Sequence, residues 1–379
     1  MSLVSYKKNT PSMVVSQEKH SAKMLLRTES LASNTLRAYM SDLSMFCYWL
    51  CGETVLRDQE NRVIQKDQSE ISDIILGSNL SDATICKYLE DVGFQHKIST
   101  IKRKLASLSW ALGQLGITDL TKSISVKDSF KGLRKLHAQY AANLVSAEEI
   151  ANKGVTPPAL DSDFYTKKSA PALRINTLLR VMAHIDDQAN KIPKARLLRD
   201  KALLSLWWAG AFRRSEIASL QWSFITFEPE GLKITLPFSK TDQAGKGITK
   251  GIAYASKYPE LCAVSHLKNW LGFQSTNIGR YVFCRISHKG TLVSGEIDNH
   301  LTTVAIVNIM RGHLQRAGIP KSELYTGHSP RRGFVSDAYH AGAPTRSIQK
   351  QGGWRSEAML NTYIEEESVF DRNATKSVF

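Results

Sequence analysis

From Leu36 onward, apolar residues recur at steps of three and four. Leu36, Tyr39, Met40, Leu43, Phe46, Cys47 and Leu50 form one stripe, and Ser33 or Asn34 can cap the helix that this spacing predicts. A second helix is predicted to begin at Ser81. A third covers Ser99 to Gln114, with Ile101, Leu105, Leu108 and Leu112 on one face, and Phe130 to Tyr140 reads as the end of a further helix. Residues 1–17 are polar and irregular and read as a flexible arm. The charged stretch 51–70 has no period and reads as a loop. Residues 141–172 mix Ala, Ser and charges with the breakers Pro157, Pro158 and Pro171, which predicts a linker. Helices resume at Leu173. Between Gly231 and Tyr254 the period changes to two, around the turn-rich Thr241 to Gly247, which predicts a hairpin. Tyr281 to Ile286 reads as another strand, Leu301 to Gly318 as a helix, and three more helices follow. The expectation is a mainly α fold with a small β-hairpin or sheet. Its parts are an arm (1–17), a helical domain (18–140), a linker (141–172) and an α+β domain with a C-terminal tail (173–379).

Composition narrows the class of partner. At 379 residues, with 42% hydrophobic and 22% charged residues, the chain suits two folded domains and not a disordered polymer. Its formal net charge is +15, and both halves are basic. That favours a polyanion, because each neutralised phosphate releases condensed counterions. The five cysteines are scattered among apolar neighbours and read as reduced core residues of a cytoplasmic protein. No further Cys/His pair joins Cys47 and Cys51, so no metal is expected. The most apolar run, Ala202 to Phe212, is about half the length a membrane helix needs. The first residues lack the apolar core of a signal peptide.

The candidate chemistry lies mostly in the second half. Arg213 sits in Ala211-Phe212-Arg213-Arg214-Ser215-Glu216-Ile217, where a charge at the end of an apolar stretch is costly unless it has a use. A structural ion pair with Glu216 is the plain alternative. His328 and Arg331 are three apart, so one helical turn can present both to one phosphate. Trp354 ends Gln351-Gly352-Gly353-Trp354, whose glycines fit a helix C-cap. Tyr363 lies in Asn361-Thr362-Tyr363-Ile364, on a helix predicted over Ser356 to Glu367 with Met359, Leu360, Tyr363 and Ile364 on one stripe. Read singly, the histidine, tryptophan and tyrosine could each be structural. Together they supply two guanidiniums, an imidazole, an indole N–H and a phenol. A metal-free attack on a phosphodiester requires fixed cations, a nucleophile and proton carriers, and this set supplies them.

These motifs resemble those of the tyrosine site-specific recombinases (the phage integrase family), and the Cre-like group in particular. Phe212-Arg213-Arg214-Ser215-Glu216, Gly327-His328-Ser329-Pro330-Arg331, Trp354 and Tyr363 carry the resemblance. Leu31 to Tyr39 and Lys131-Gly132-Leu133-Arg134 resemble parts of the family's core-binding domain. The resemblance implies a two-domain, C-shaped DNA clamp, with Tyr363 as nucleophile, Arg213 and Arg331 on the phosphate and His328 in proton transfer. It also implies that Trp354 donates a hydrogen bond and that Glu216 orients a cation. Lys240 would protonate the leaving 5′ oxygen, with Lys246 and Lys250 as rivals. Candidate DNA contacts are Arg37, Lys102, Arg103 and Lys104 in the first domain and Thr302 and Thr303 in the second. In the Leu301–Asn308 segment Val304 and Val307 stand where polar base readers are expected, so the target site must differ. The implied partner is duplex DNA, with a homotetramer on two sites and a monomer or weak dimer when free. Phe370 and Phe379 would be C-terminal anchors. No cofactor is implied, and action would be at the bacterial nucleoid. A type IB topoisomerase, a telomere resolvase, a silent DNA-binding protein and a metal-dependent nuclease or transposase remain as other readings.

Overall fold

The computed structural model describes residues 32–166, 169–237, 247–274, 279–292, 300–354, 356–364 and 375. The chain divides into two compact units, Met1–Lys168 and Ser169–Phe379.

In the first unit the helices are α1 (Ser33–Leu50), α2 (Gln68–Gly77), α3 (Asp82–Val92), α4 (Ile98–Leu115), α5 (Ile124–Ala141), α6 (Ala147–Ala151) and α7 (Ser162–Tyr165). The stripe read from Leu36 onward is the buried face of α1, where Leu43, Phe46 and Cys47 join Ile85, Leu89, Ile101, Leu108 and Leu112 in one core. Ser81 caps α3 in a capping box with Thr84, as its position before the apolar run requires. Ala32 stands at the N-cap of α1 without a side-chain cap, so Ser33 is the first helical residue. Helix α2 falls partly inside the stretch read as a loop. Asp67 caps it through Glu70 N–H, and it buries only Ile71 and Ile75, too few to show a period.

The expected linker is more structured than its composition suggests. Ile150 of α6 is fully buried in the first core. The Thr156 amide donates to the Glu90 carbonyl at 3.0 Å, and the Tyr165 hydroxyl donates to the Phe94 carbonyl. Prolines break the helices here, but they do not stop the segment from packing.

The second unit contains α8 (Ile175–Asp187), α9 (Lys194–Ala209), α10 (Arg214–Ala218), β1 (Ile225–Glu228), β2 (Gly231–Leu236) and β3 (Ile248–Ala253). These are followed by α11 (Ala263–Gln274), α12 (Thr303–Arg316), α13 (Ser329–His340), α14 (Thr345–Gly352) and α15 (Glu357–Asn361). The predicted hairpin is β2–β3, antiparallel, with Leu232 opposite Ile252 and Ile234 opposite Lys250. β1 adds an outer strand, giving the order β1-β2-β3. Tyr281 to Ile286 forms isolated bridges and not a regular strand, although Val282 and Phe283 are fully buried. Helix α9 is buried nearly all round, packing Leu203, Leu206 and Trp207 into the second core. A smaller apolar cluster of Ala211, Val335, Ile348, Trp354 and Leu360 lies under the candidate site.

Candidate active site

The site begins where α9 ends. A helix leaves its last carbonyls without internal partners, and buried carbonyls need donors. Here the Ala209 carbonyl and the three that follow the helix are each taken by a side chain, three of these from distant parts of the chain and one, Trp207, from α9 itself. Ala209 O accepts from Gln351 Nε2 at 3.0 Å, Gly210 O from Lys250 Nζ at 2.8 Å, Ala211 O from Arg331 Nη1 at 2.6 Å, and Phe212 O from Trp207 Nε1 at 3.0 Å. Presenting them requires a strained bend. Ala211 adopts φ +45°, a left-handed conformation uncommon for a residue with a side chain. Gly210 leaves space for the Phe212 ring, which a Cβ would approach to 2.1 Å.

Arg213 follows the bend as the N-cap of α10. Glu216 holds it twice, accepting from its backbone N–H at 2.8 Å and from Nη1 at 2.5 Å. The ion pair weighed from sequence therefore exists, and it aims the guanidinium; the Arg213 side chain is 17% exposed. Arg214 is exposed, and its stem packs on Gly327, beside the second motif.

His328 is the N-cap of α13 and is exposed, whereas Arg331, on the first turn, is 1% exposed. Gly333 allows this helix to lie close to Leu173, whose carbonyl would meet a Cβ at 1.7 Å. Burial first, and then the Arg213 charge, pull the Arg331 guanidinium down to about 10, with Glu216 and Tyr363 offsetting part of the effect. It stays charged at neutral pH, and two neighbouring cations of this kind are relieved by an anion between them.

Gly353 closes α14 at φ +69°, with its N–H and that of Trp354 both donating to Gln349 O. Gly352 is needed for space, since a Cβ there would lie 1.5 Å from the Trp354 ring. The Arg331 guanidinium stacks on that ring at 3.7 Å. Tyr363 is half-buried, its ring centroid 5.2 Å from that of Trp354, 6.3 Å from that of His328 and 5.6 Å from the Arg331 guanidinium. It lies in the turn after α15, not within a helix to Glu367, because α15 ends at Asn361. Met359 is 46% exposed and so is not part of a buried stripe, whereas Leu360 is fully buried. Arg332, next to Arg331, donates to Thr362 O at 3.1 Å and so holds the tyrosine segment.

Two buried donors here, Trp354 Nε1 and Arg331 Nε, have no hydrogen-bond partner among the described residues. The structure thus brings together Arg213, Glu216, His328, Arg331, Trp354 and Tyr363. Lys240, Lys246, Phe370 and Phe379 lie outside the described residues. Lys250 lies within them and is buried at the site, with Nζ also donating to Gln351 O at 2.6 Å. Its position on β3 facing inward was the available signal, as an alternating strand puts Lys250 on the same face as Ile248 and Ile252.

The candidate DNA contacts separate. Arg37 and Lys102 are exposed. Arg103 is half-exposed but makes a two-pronged bond to Asp42 at 2.7 and 3.1 Å. Lys104 is not a surface contact: it is 4% exposed, with Nζ 3.7 Å from Asp42 and 3.3 Å from Met45 Sδ. Its place on the inner face of α4 corrects the surface reading, and burial lowers its proton affinity. Thr302 is exposed but serves as the N-cap of α12, accepting from Ala305 N–H at 3.1 Å, and Thr303 is half-buried. Val304 is 61% exposed, while Val307 is buried core and no reader. Among the described residues, no helix is long and apolar enough to cross a membrane, and no group of three His, Cys, Asp or Glu side chains could hold a metal ion.

Similarity to known proteins extends along most of the chain. The model of the phage integrase family matches residues 172–368. The "Integrase/recombinase xerD homolog" of Selenomonas ruminantium is 28% identical over 370 residues, 97% of this chain and 92% of that protein. The Tn1549 transposon integrase, solved in complex with transposon right end DNA, superposes with a TM-score of 0.50 at 13% identity, covering 92% of this chain and 95% of that one. A lambda integrase dimer bound to a core site gives a TM-score of 0.46 at 14% identity, covering 93% and 95%. The family match spans more than half of the sequence, from the start of α8 to beyond Tyr363, and includes every residue of the site: the chain belongs to the phage integrase family, the tyrosine recombinases.

Proposed function

We propose that the chain is a site-specific DNA recombinase that cuts and rejoins strands through a 3′-phosphotyrosyl intermediate. The observation that carries this reading is the pair of buried, unpartnered donors, Trp354 Nε1 and Arg331 Nε, beside Tyr363. Buried donors without partners are costly, and a phosphate oxygen would satisfy them.

In this reading Arg213 and Arg331 hold the non-bridging oxygens of the scissile phosphate, and Trp354 adds one neutral donor. The Tyr363 oxygen attacks phosphorus while its proton passes to His328, and the bond to the 5′ oxygen breaks. Lys240 supplies the proton that this oxygen takes up. In the second half, a 5′ hydroxyl of a partner duplex attacks the phosphotyrosyl link and gives its proton to Lys240, the phosphorus–tyrosine bond breaks, and tyrosine leaves with the proton that His328 returns. The phosphodiester energy is kept in the covalent link, so the cycle balances without ATP or a metal. Duplex DNA with inverted-repeat sites is the substrate, and a homotetramer on two sites is the exchanging assembly. Arg37 and Lys102 in the first unit, and Thr302 and Thr303 at the start of α12, are the candidate contacts outside the site.

The test is covalent trapping. A duplex recovered from a random-sequence pool by the full-length chain, and footprinted, is nicked beside the cleavage position so that the short leaving strand diffuses away. The wild-type chain is expected to accumulate a denaturant-resistant protein–DNA adduct. Tyr363→Phe, which removes one hydroxyl, is expected to bind the duplex with unchanged affinity and give no adduct. An adduct in the variant would assign the attack to another residue.

A further inference from the structure

Lys250 is a buried cation that the proposed chemistry does not use. Its side chain is 2% exposed, yet it carries an ammonium into a region that already holds Arg213 and Arg331. A buried charge is costly, and an apolar side chain of the same length would fill the space without that cost. The hydrogen bonds indicate what the ammonium does. Nζ donates to Gly210 O at 2.8 Å and to Gln351 O at 2.6 Å, and it stands 4.8 Å from the centre of the Phe212 ring. Gly210 is the C-cap of α9, three residues before Arg213. Gln351 is in the last turn of α14, three residues before Trp354. Both are negative helix ends, where a cation is favoured.

We propose that Lys250 is a positioning residue that pins the end of α9 to the end of α14, and so fixes Arg213 and Trp354 at the separation one phosphate requires. The inference rests on the recombinase reading above. The Lys250 ammonium hydrogens point at two carbonyls and an aromatic face, not at open space. It therefore does not protonate the leaving oxygen. Gln351 reinforces the pin by donating from Nε2 to Ala209 O at 3.0 Å, so that two donors span the same pair of helix ends. Burial is the largest influence on the ammonium and brings it down to about 7, against the pull of Glu216 on α10 and with the push of Arg331 on α13 and Arg213. The pin is thus held by geometry at a considerable electrostatic cost.

The experiment uses the full-length chain and the nicked duplex described above, in wild type, Lys250→Met, Trp354→Phe and the double variant. Affinity for the intact duplex and the rate of adduct formation are measured separately. Lys250→Met is expected to keep affinity within about threefold and to slow adduct formation about 10- to 100-fold, as small misplacements of reacting groups do. The double variant is expected to be no slower than the slower single one, because a misplaced indole cannot be lost twice. A duplex with sulfur in place of the leaving 5′ oxygen is expected not to rescue Lys250→Met. Rescue by sulfur would make Lys250 the general acid and overturn the proposal. Multiplying effects in the double variant, or an unchanged rate in Lys250→Met, would overturn it equally. If Lys250→Met does not fold, Lys250→Gln, which retains a donor for one carbonyl, takes its place in every comparison, and the same results support or overturn the proposal. A wild-type chain that forms no adduct would instead defeat the recombinase reading itself.

Discussion

Residue by residue, this site places Arg331, Lys250 and Glu216 where water scarcely reaches them and holds each with hydrogen bonds. Lys250 shows where the cost falls. Its ordinary value of 10.5 is lowered to about 7 in the folded chain, burial being the first cause. Between those two values the unfolded chain binds the proton and the folded chain does not, so this group adds stability as pH rises from about 7 toward 10.5. Below about 7 both states are protonated, and the folded state bears the full penalty. We expect the denaturation midpoint of wild type relative to Lys250→Met to rise with pH through this window and to level off below it. Urea titrations of both proteins at a series of pH values check the slope. A flat difference would mean that the ammonium keeps an ordinary affinity for its proton.

At the scale of elements, glycine decides which helices can carry chemistry. Gly352 and Gly132 both lie in helices, and the same substitution should separate them. A Cβ on Gly352 would enter the Trp354 ring, while a Cβ on Gly132 in α5 would meet nothing within 4 Å. Gly352→Ala is expected to cost about 1–3 kcal/mol through overpacking and to slow adduct formation as Trp354 is displaced. Gly132→Ala is expected to stabilise the first unit by about 0.5–1 kcal/mol, because alanine loses less backbone entropy in a helix. Thermal melts with adduct assays distinguish the two. This scale also shows what could be read from sequence. The α1 stripe, the Ser81 cap, the β2–β3 alternation and the Gly353 C-cap were legible, since each depends on neighbours in sequence. Helix α2, strand β1 and the packing of 142–166 were not, because distant residues bury them. The residues Arg213, His328, Arg331, Trp354 and Tyr363 stood out in the sequence through the resemblance of their motifs to a known family, and not as single residues. Strand alternation turns Lys250 inward and helical spacing puts Lys104 with Ile101 and Leu108, but the bonds made by Lys250, Arg332 and Lys104 depend on which carbonyl or carboxylate the fold brings opposite. No local pattern encodes that.

For the molecule as a whole, each unit has its own apolar core, and the candidate catalytic residues that the structure describes all belong to the second. The net charge of +15 is spread over both halves of the sequence, as the proposed contact of both units with DNA requires.

The turn that carries Tyr363 differs from the rest of the second unit in how it is held. The carbonyls at the end of α9 and just after it are fastened by side chains from β3, α13 and α14. The tyrosine follows a five-residue helix anchored by buried Leu360, with Arg332 on Thr362 O and a long bond from Ser336 to Tyr363 O at 3.4 Å. Local opening free energies follow such differences in anchorage. Amide hydrogen exchange should therefore be orders of magnitude faster over 359–363 than over 203–209, and trapping the adduct should slow only the former. Equal protection in both segments of the free chain would contradict this. In the proposed reaction, a firmly held cradle beside a loosely anchored tyrosine would let attack be timed by the smaller part, because the turn could withdraw and return while the cradle stays set.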